Sequence, residues 1–136
     1  EIPTSRGLPH LYSECAEIWN PIHTERRAAL AAGLPDIIVH GTILWALAAL
    51  KAAELLNQDV ARLTRLTARF TAVVIPGETL RFEVSPDDGE GAAFTLTGAA
   101  GQAVTGAAWF AGASSKLPEA ARARSTNSIT ASFCRS

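Results

Sequence analysis

The chain has 136 residues, 48% of them hydrophobic, which is enough for one domain with a core and too little for two. Its 12 basic and 13 acidic residues give a formal net charge of -1, without the basic stripe that is usual in nucleic-acid-binding proteins. The most apolar stretch, residues 37–56, contains histidine, lysine and glutamate and falls short of a membrane span. The N-terminus lacks the layout of a signal peptide. We therefore expect a cytoplasmic protein that binds neither nucleic acid nor membrane.

The two cysteines, Cys15 and Cys134, stand far apart and have neither CxxC spacing nor a nearby set of metal ligands. We interpret both as plain thiols, which fits a reducing compartment. A Gly-rich phosphate loop is also absent from the sequence. We therefore expect no metal site and no bound cofactor.

The N-terminal part predicts short elements. The first ten residues contain two prolines and a glycine, which leaves room for a short strand and a turn. Residues 11–18 can form two helical turns, and Asn20-Pro21 ends them because the residue before proline avoids the α region. Residues 24–32 predict a short helix with Thr24 as its N-cap.

The clearest element is a helix over residues 43–57, with Thr42 as its predicted N-cap. Only Lys51 and Glu54 interrupt its apolar surface, so we expect it to be enclosed on nearly all sides. In a domain this small, such a helix requires a sheet curled around it.

The second half predicts that sheet. Residues 66–74 alternate between apolar and polar side chains, with Arg69 on the exposed face. Three further strands follow, over 80–84, 93–98 and 103–110. Their connections are too short for crossovers, so the pairing should be antiparallel. We expect one α+β domain over residues 1–112 and a loosely held tail over 113–136.

Residues 19–41 hold the densest set of side chains that can carry chemistry. Asn20-Pro21-Ile22-His23 precedes the short helix, and His40-Gly41 opens the long one. Farther on, Arg69-Phe70 is followed by Ile75-Pro76-Gly77-Glu78-Thr79-Leu80. Together these segments resemble the signature of MaoC-like dehydratases and (R)-specific enoyl-thioester hydratases. The resemblance covers roughly residues 8–112 and implies a hotdog fold, an antiparallel sheet wrapped around one long helix.

The resemblance also implies roles for two residues. Hydration of an enoyl thioester needs a group that activates water, a proton source for the α-carbon and donors for the developing enolate oxygen. Histidine suits proton transfer because its pKa lies near neutrality, and an N–H at a helix start suits the oxyanion. The family pattern assigns general acid/base catalysis to His23 and the oxyanion donor to the Gly41 N–H.

One position departs from the family. Its catalytic aspartate stands two residues before the asparagine, where this chain has Ile18, which can neither hold a water nor accept a proton. Three readings follow. Glu17 replaces the aspartate; or His23 acts alone or with another carboxylate, such as Glu14 or Asp36; or the domain has lost hydration and does something else.

Four further residues are candidates for binding substrate or shaping the site. We interpret Tyr12 as a pocket wall whose phenol can hold a substrate oxygen, and Trp19 as core or pocket lining. His40 is expected to cap the helix or anchor a loop. Asn20, with the proline after it, is expected to shape the loop that aims His23.

The resemblance implies a lyase that adds or removes water at an acyl-CoA, carrier-protein thioester or carbonyl-activated substrate, working as a homodimer. Two alternatives stay open. One is an isomerase or cyclase of a polyketide-type intermediate in secondary metabolism, using His23 without the aspartate. The other is a non-catalytic hotdog domain that binds acyl groups.

Overall fold

A five-stranded antiparallel sheet packs against one long helix in the computed structural model, which describes residues 1–86 and 91–111. The predicted tail and Cys134 lie outside these residues. The elements in chain order are β1 (Ile2–Pro3), α1 (Leu8–Ala16), a 3-10 turn (Pro21–His23), α2 (Arg26–Ala31), α3 (Gly41–Leu55), a second 3-10 turn (Val60–Arg62), β2 (Leu63–Phe70), β3 (Thr79–Pro86), β4 (Ala92–Gly98) and β5 (Gly101–Phe110).

The strands lie in the order β1-β3-β4-β5-β2, with every neighbouring pair antiparallel. The predicted antiparallel α+β arrangement is confirmed. β5 lies between β4 and β2 and pairs with both over most of its length. Helix α3 packs against β2, β3, β4 and β5, which is the enclosure that its apolar sequence predicted.

The core forms between α3 and the inner face of the sheet. Apolar side chains of α3 and the strands are buried there: Ile43, Leu44, Leu47, Ala48, Ala52, Leu80, Leu96 and Val104. Removing this surface from water is the main force that holds the layers together. Lys51 is also buried, at 2% exposure, and its Nζ donates to both carboxylate oxygens of Glu54 at 3.0 Å. That ion pair lets a charged residue sit on an otherwise apolar helix.

Both predicted threonine caps are wrong. α3 begins at Gly41 with His40 in the N-cap position and no side-chain cap, so Thr42 already lies inside the helix. α2 begins at Arg26, after Glu25. Thr24 instead lies directly after the 3-10 turn Pro21–His23, as the C-cap of that turn.

Two predicted boundaries and one prediction about cysteine also need correction. α1 lies earlier than expected and ends at Ala16, followed by Glu17 in a left-handed conformation with φ 53°. β2 ends at Phe70 rather than at residue 74, and the Val74 carbonyl accepts a hydrogen bond from Val39 N–H at 2.8 Å.

Cys15 is in a disulfide, so the plain thiol predicted there is wrong. Among the described helices, none has the length and hydrophobicity that a membrane crossing requires.

Gly106 is required where β2, β4 and β5 meet, opposite Ala68 and Phe94. A Cβ at this position would collide with the Thr67 carbonyl oxygen and lie 2.7 Å from Phe94 Cζ. Overpacking of this kind typically costs 1–3 kcal/mol, and more where backbone must move. We expect Gly106→Ala to lower the free energy of unfolding by about 3 kcal/mol, measured by urea denaturation.

Gly7→Ala is the matched control, because nothing lies within 4 Å of a Cβ added there. It should change the free energy of unfolding by about 1 kcal/mol or less. Equal stability of the two variants would contradict the packing described for β5.

Candidate active site

The loop that carries His23 is fixed by its own sequence. Asn20 has an extended backbone, and its side-chain oxygen accepts a hydrogen bond from Ile22 N–H at 3.3 Å. Pro21 occupies the first position of the 3-10 turn, where its fixed φ is already suitable and its missing N–H costs nothing. The loop-shaping role predicted for Asn20 therefore has a clear structural basis.

The His23 ring is half-buried and held by one strong contact. Its Nδ1 lies 2.8 Å from the Ile38 carbonyl oxygen, and Ile38 N–H donates back to the Ile22 carbonyl at 3.2 Å. A carbonyl oxygen can only accept, so Nδ1 carries the proton and Nε2 keeps its lone pair. No residue in the described part of the chain hydrogen-bonds Nε2. His23 is therefore prepared to accept a proton at Nε2.

His40 lies directly against His23. The two rings stack with their centroids 3.7 Å apart and an interplanar angle of 19°. His40 is 2% exposed, and its Nε2 lies 3.2 Å from Ser13 Oγ. Tyr12 contacts the same ring edge-on at 4.9 Å. His40 thus joins α1 to the loop of His23.

Burial lowers the pKa of His40 below the usual histidine value, and the neighbouring His23 lowers it further, while the nearby Ile18 backbone partly opposes these effects. Its Nδ1 is buried without a hydrogen-bond partner in the described chain. A charged ring would be poorly tolerated in such a place. His40 is therefore held as a neutral imidazole near neutral pH.

Gly41 opens α3 beside these rings. As the first helical residue, it has an N–H without an acceptor inside the helix, at the positive end of the helix dipole. A Cβ added at Gly41 would lie 3.3 Å from Phe70 Cε1. The backbone of Gly41 and the ring of Phe70 thus form one wall of the site.

Phe70 is a site residue that the sequence pattern placed wrongly. Its alternation with Leu66 and Ala68 predicted a core position, yet 51% of its surface is exposed. The sequence could have indicated this exposure only through the position of Phe70 at the end of β2. The contact between Phe70 and Gly41 depends on the packing of β2 beside α3, which no local pattern predicts.

The two aromatic residues predicted near the site differ in their placement. The Tyr12 hydroxyl donates to Thr42 Oγ1 at 3.0 Å, and its ring lines a small apolar cavity of about 110 Å³ between α1 and α3, with Leu11, Cys15, Ala16 and Ile43. Trp19 is 64% exposed, and its Nε1 donates to Glu14 Oε1 at 3.3 Å. Of the two placements expected for Trp19, core or pocket lining, the core is therefore wrong.

Among the described residues, no candidate carboxylate has a hydrogen bond or ion pair with His23. Ile18, at the family's aspartate position, is 41% exposed. Asp36 accepts a hydrogen bond from Ile37 N–H at 2.8 Å and forms an ion pair with Arg26 at 3.5 Å. Glu14 is bound to Trp19, which leaves Glu17 as an exposed carboxylate without a hydrogen bond or ion pair among the described residues.

Asp36 also belongs to a different depression. It lines a cleft of about 220 Å³ together with Arg6, Thr24, Arg26 and Pro76, on the other flank of the His23 loop. In the described ranges, no group of three or more histidine, cysteine or acidic side chains is placed to hold a metal ion. The structure therefore brings together His23, His40 and Tyr12, with Gly41 next to His40 at the start of α3, while Asp36 and Trp19 have other partners.

Residues 4–108 match the family model described as MaoC like domain. The chain is 36% identical over 78 residues to the enoyl-CoA hydratase ChsH3 of Mycobacterium tuberculosis, an alignment that covers 57% of this chain and 27% of that protein. The chain thus spans about a quarter of the length of this relative.

Solved structures agree on the fold. A MaoC-like dehydratase from Phytophthora capsici superposes with a TM-score of 0.73 at 21% identity, covering 79% of this chain and 38% of that one. An (R)-hydratase from A. caviae involved in PHA biosynthesis gives a TM-score of 0.59 at 24% identity, covering 78% and 86%. The predicted α+β hotdog fold is confirmed.

Proposed function

Since this chain belongs to the MaoC-like domain family, we propose that it is a lyase that adds water to, or removes it from, an acyl-thioester or similarly activated carbonyl substrate. The observation that carries the proposal is the hydrogen bond from His23 Nδ1 to the Ile38 carbonyl at 2.8 Å. It leaves Nε2 as the unprotonated nitrogen of a neutral ring, and this ring stacks on His40, the residue before the first residue of α3. Base and oxyanion donor are the two groups that hydration needs most.

In the proposed reaction, His23 Nε2 accepts a proton from water as the water oxygen bonds to the β-carbon of the enoyl thioester. The π electrons of the double bond move towards the carbonyl, whose oxygen becomes an enolate oxygen stabilised by the Gly41 N–H. As the carbonyl re-forms, the α-carbon takes the proton from the His23 imidazolium. One histidine thus serves as base and then as acid, and dehydration is the reverse.

The substitution at Ile18 decides how the water is held. Glu17, one residue earlier and without a hydrogen bond or ion pair in the described chain, is the carboxylate we propose to assist. Asp36 is less suited because its carboxylate already binds Ile37 N–H and Arg26. Tyr12, whose hydroxyl lies on Thr42 near the start of α3, is proposed to contact the substrate.

A second candidate function follows from the same substitution. An isomerase or cyclase that moves a proton beside a carbonyl needs the base and the oxyanion donor but no held water. The exposed Ile18 side chain provides an apolar contact where a water-holding aspartate would stand. This favours a carbonyl intermediate of secondary metabolism as the alternative substrate.

The proposed assembly is a homodimer. Strand β2 pairs with β5 on one side, and its other edge has no partner strand in the described chain. Unpaired strand edges are usually covered, and a second copy of the same edge is a common cover. Phe70, at the end of β2, is 51% exposed and lies beside Gly41, so we propose that a partner on this edge would cover it.

Replacing His23 tests the proposed reaction. We expect the purified chain to add water to enoyl thioesters or remove it from 3-hydroxyacyl thioesters, followed by mass, and His23→Ala to lower kcat/KM by about 10²–10⁴-fold. His10→Ala is the matched control, because His10 is an exposed histidine outside the proposed site, with its Nε2 3.1 Å from the Thr24 carbonyl oxygen. Its kcat/KM should stay close to that of the unmodified chain.

Glu17→Gln in the same assay separates assistance by a carboxylate from catalysis by His23 alone. The absence of turnover with every thioester, from a folded protein, would contradict the thioester form of the proposal and direct the search to isomerisation or ring closure of a free carbonyl compound.

Light scattering of the purified chain tests the dimer. The expected mass is twice that of the 14.3 kDa chain and independent of concentration at micromolar levels. A monomer at these concentrations would contradict the homodimer.

A further inference from the structure

His40 is a buried titratable residue that the proposed reaction does not use. It is 2% exposed and so cannot touch a substrate, yet its ring stacks at 3.7 Å on the ring of the proposed base. Its Nε2 is fixed by Ser13, on α1, and its backbone is the N-cap of α3. The ring is therefore anchored to two helices while it supports a side chain that belongs to neither.

We infer that His40 is a positioning residue: a neutral stacking platform that fixes the plane of the His23 ring and stays uncharged while His23 alternates between imidazole and imidazolium. This inference rests on the proposed function for its catalytic consequence, and on the stacking geometry alone for its structural part.

The stacked His40 ring restricts the orientation of the His23 ring. The hydrogen bond to Ile38 fixes one atom of the His23 ring but leaves rotation about that contact possible. A nearly parallel ring at 3.7 Å removes this freedom, since any rotation out of plane would bring the two rings into collision. Small misplacement of a catalytic group can cost about 100-fold in rate.

The surroundings of His40 favour its neutral form over its charged form. In the described chain, the titratable side chains in contact with His40 are Tyr12 from α1 and His23 from the 3-10 turn. Neither supplies the negative charge that would stabilise a second imidazolium at this position. Burial lowers the pKa of His40, and the charge on His23 lowers it further. An imidazolium at His23 therefore faces a neutral aromatic surface, to which cations are attracted.

Two substitutions at His40 distinguish ring stacking on His23 from simple occupation of the buried volume. His40→Phe keeps a neutral aromatic ring, whereas His40→Leu keeps an apolar side chain without a ring. We expect the Phe variant to retain kcat within about tenfold and the Leu variant to lose about 100-fold, with KM little changed in both. Equal losses in the two variants, each shown by circular dichroism to be folded, would overturn the positioning role.

Histidine titration by NMR keeps the inference testable if a variant fails to fold or if no thioester is turned over. In the unmodified chain, the His40 ring should take up its proton at a lower pH than an exposed histidine does. In His23→Ala, the His40 midpoint should move to higher pH, because the positive neighbour is gone. An unchanged His40 midpoint in His23→Ala would overturn the charge coupling, whatever the assay of activity shows.

The same protonation affects stability in a defined direction. A histidine whose pKa is lowered on folding binds more protons in the unfolded chain. The free energy of unfolding should therefore fall as the pH drops below about 6.5, the unfolded value, towards the lowered folded value. His40→Phe should weaken this fall, and an identical pH dependence in the two proteins would contradict the neutral state assigned to His40.

Discussion

The hydrogen bond between His23 Nδ1 and the Ile38 carbonyl is the constraint on which the site depends. It belongs to a short series of backbone contacts, because Ile38 N–H binds the Ile22 carbonyl and the next residue, Val39, binds the Val74 carbonyl. These bonds tie the 3-10 turn to the segment before α3, and that segment to the loop after β2. The same few contacts therefore position the His23 side chain, fix its tautomer and hold the segment that leads into α3.

The end of α1, where Ile18 lies, has a geometry that backbone hydrogen bonds define. Ile18 N–H donates to the Ser13 carbonyl at 3.1 Å and so helps to close α1, as a residue just beyond a helix end often does. Glu17 takes up the left-handed conformation at the helix end, which costs a residue other than glycine about 1 kcal/mol. The end of α1 thus has a defined geometry.

Sequence analysis succeeded where a pattern is local or family-specific. The apolar run after Gly41 and the alternation in the second half predicted α3 and the sheet, because helical and strand periods differ. The Asn-Pro-Ile-His segment predicted the loop that carries His23. The N-caps were missed because threonine is only one way to begin a helix, and a preceding 3-10 turn or a histidine N-cap shifts the start by one or two residues.

The remaining features are tertiary and have no local signal. The stacking of His23 on His40 joins residues 17 positions apart, and the contact of Phe70 with Gly41 requires that β2 be placed beside α3. Trp19 was interpreted as core or pocket lining, yet its side chain is exposed and its Nε1 donates to the exposed Glu14. In each case, the outcome depends on which elements become neighbours in the fold.

The most direct test of the account is the tautomer of His23, read from the ¹⁵N chemical shifts of its ring nitrogens at a pH where the ring is neutral. The account predicts a proton on Nδ1, bound to the Ile38 carbonyl, and an unprotonated Nε2 that can accept a proton from substrate or water. A neutral His23 with its proton on Nε2 would contradict it, since the atom assigned as the base would then be a donor.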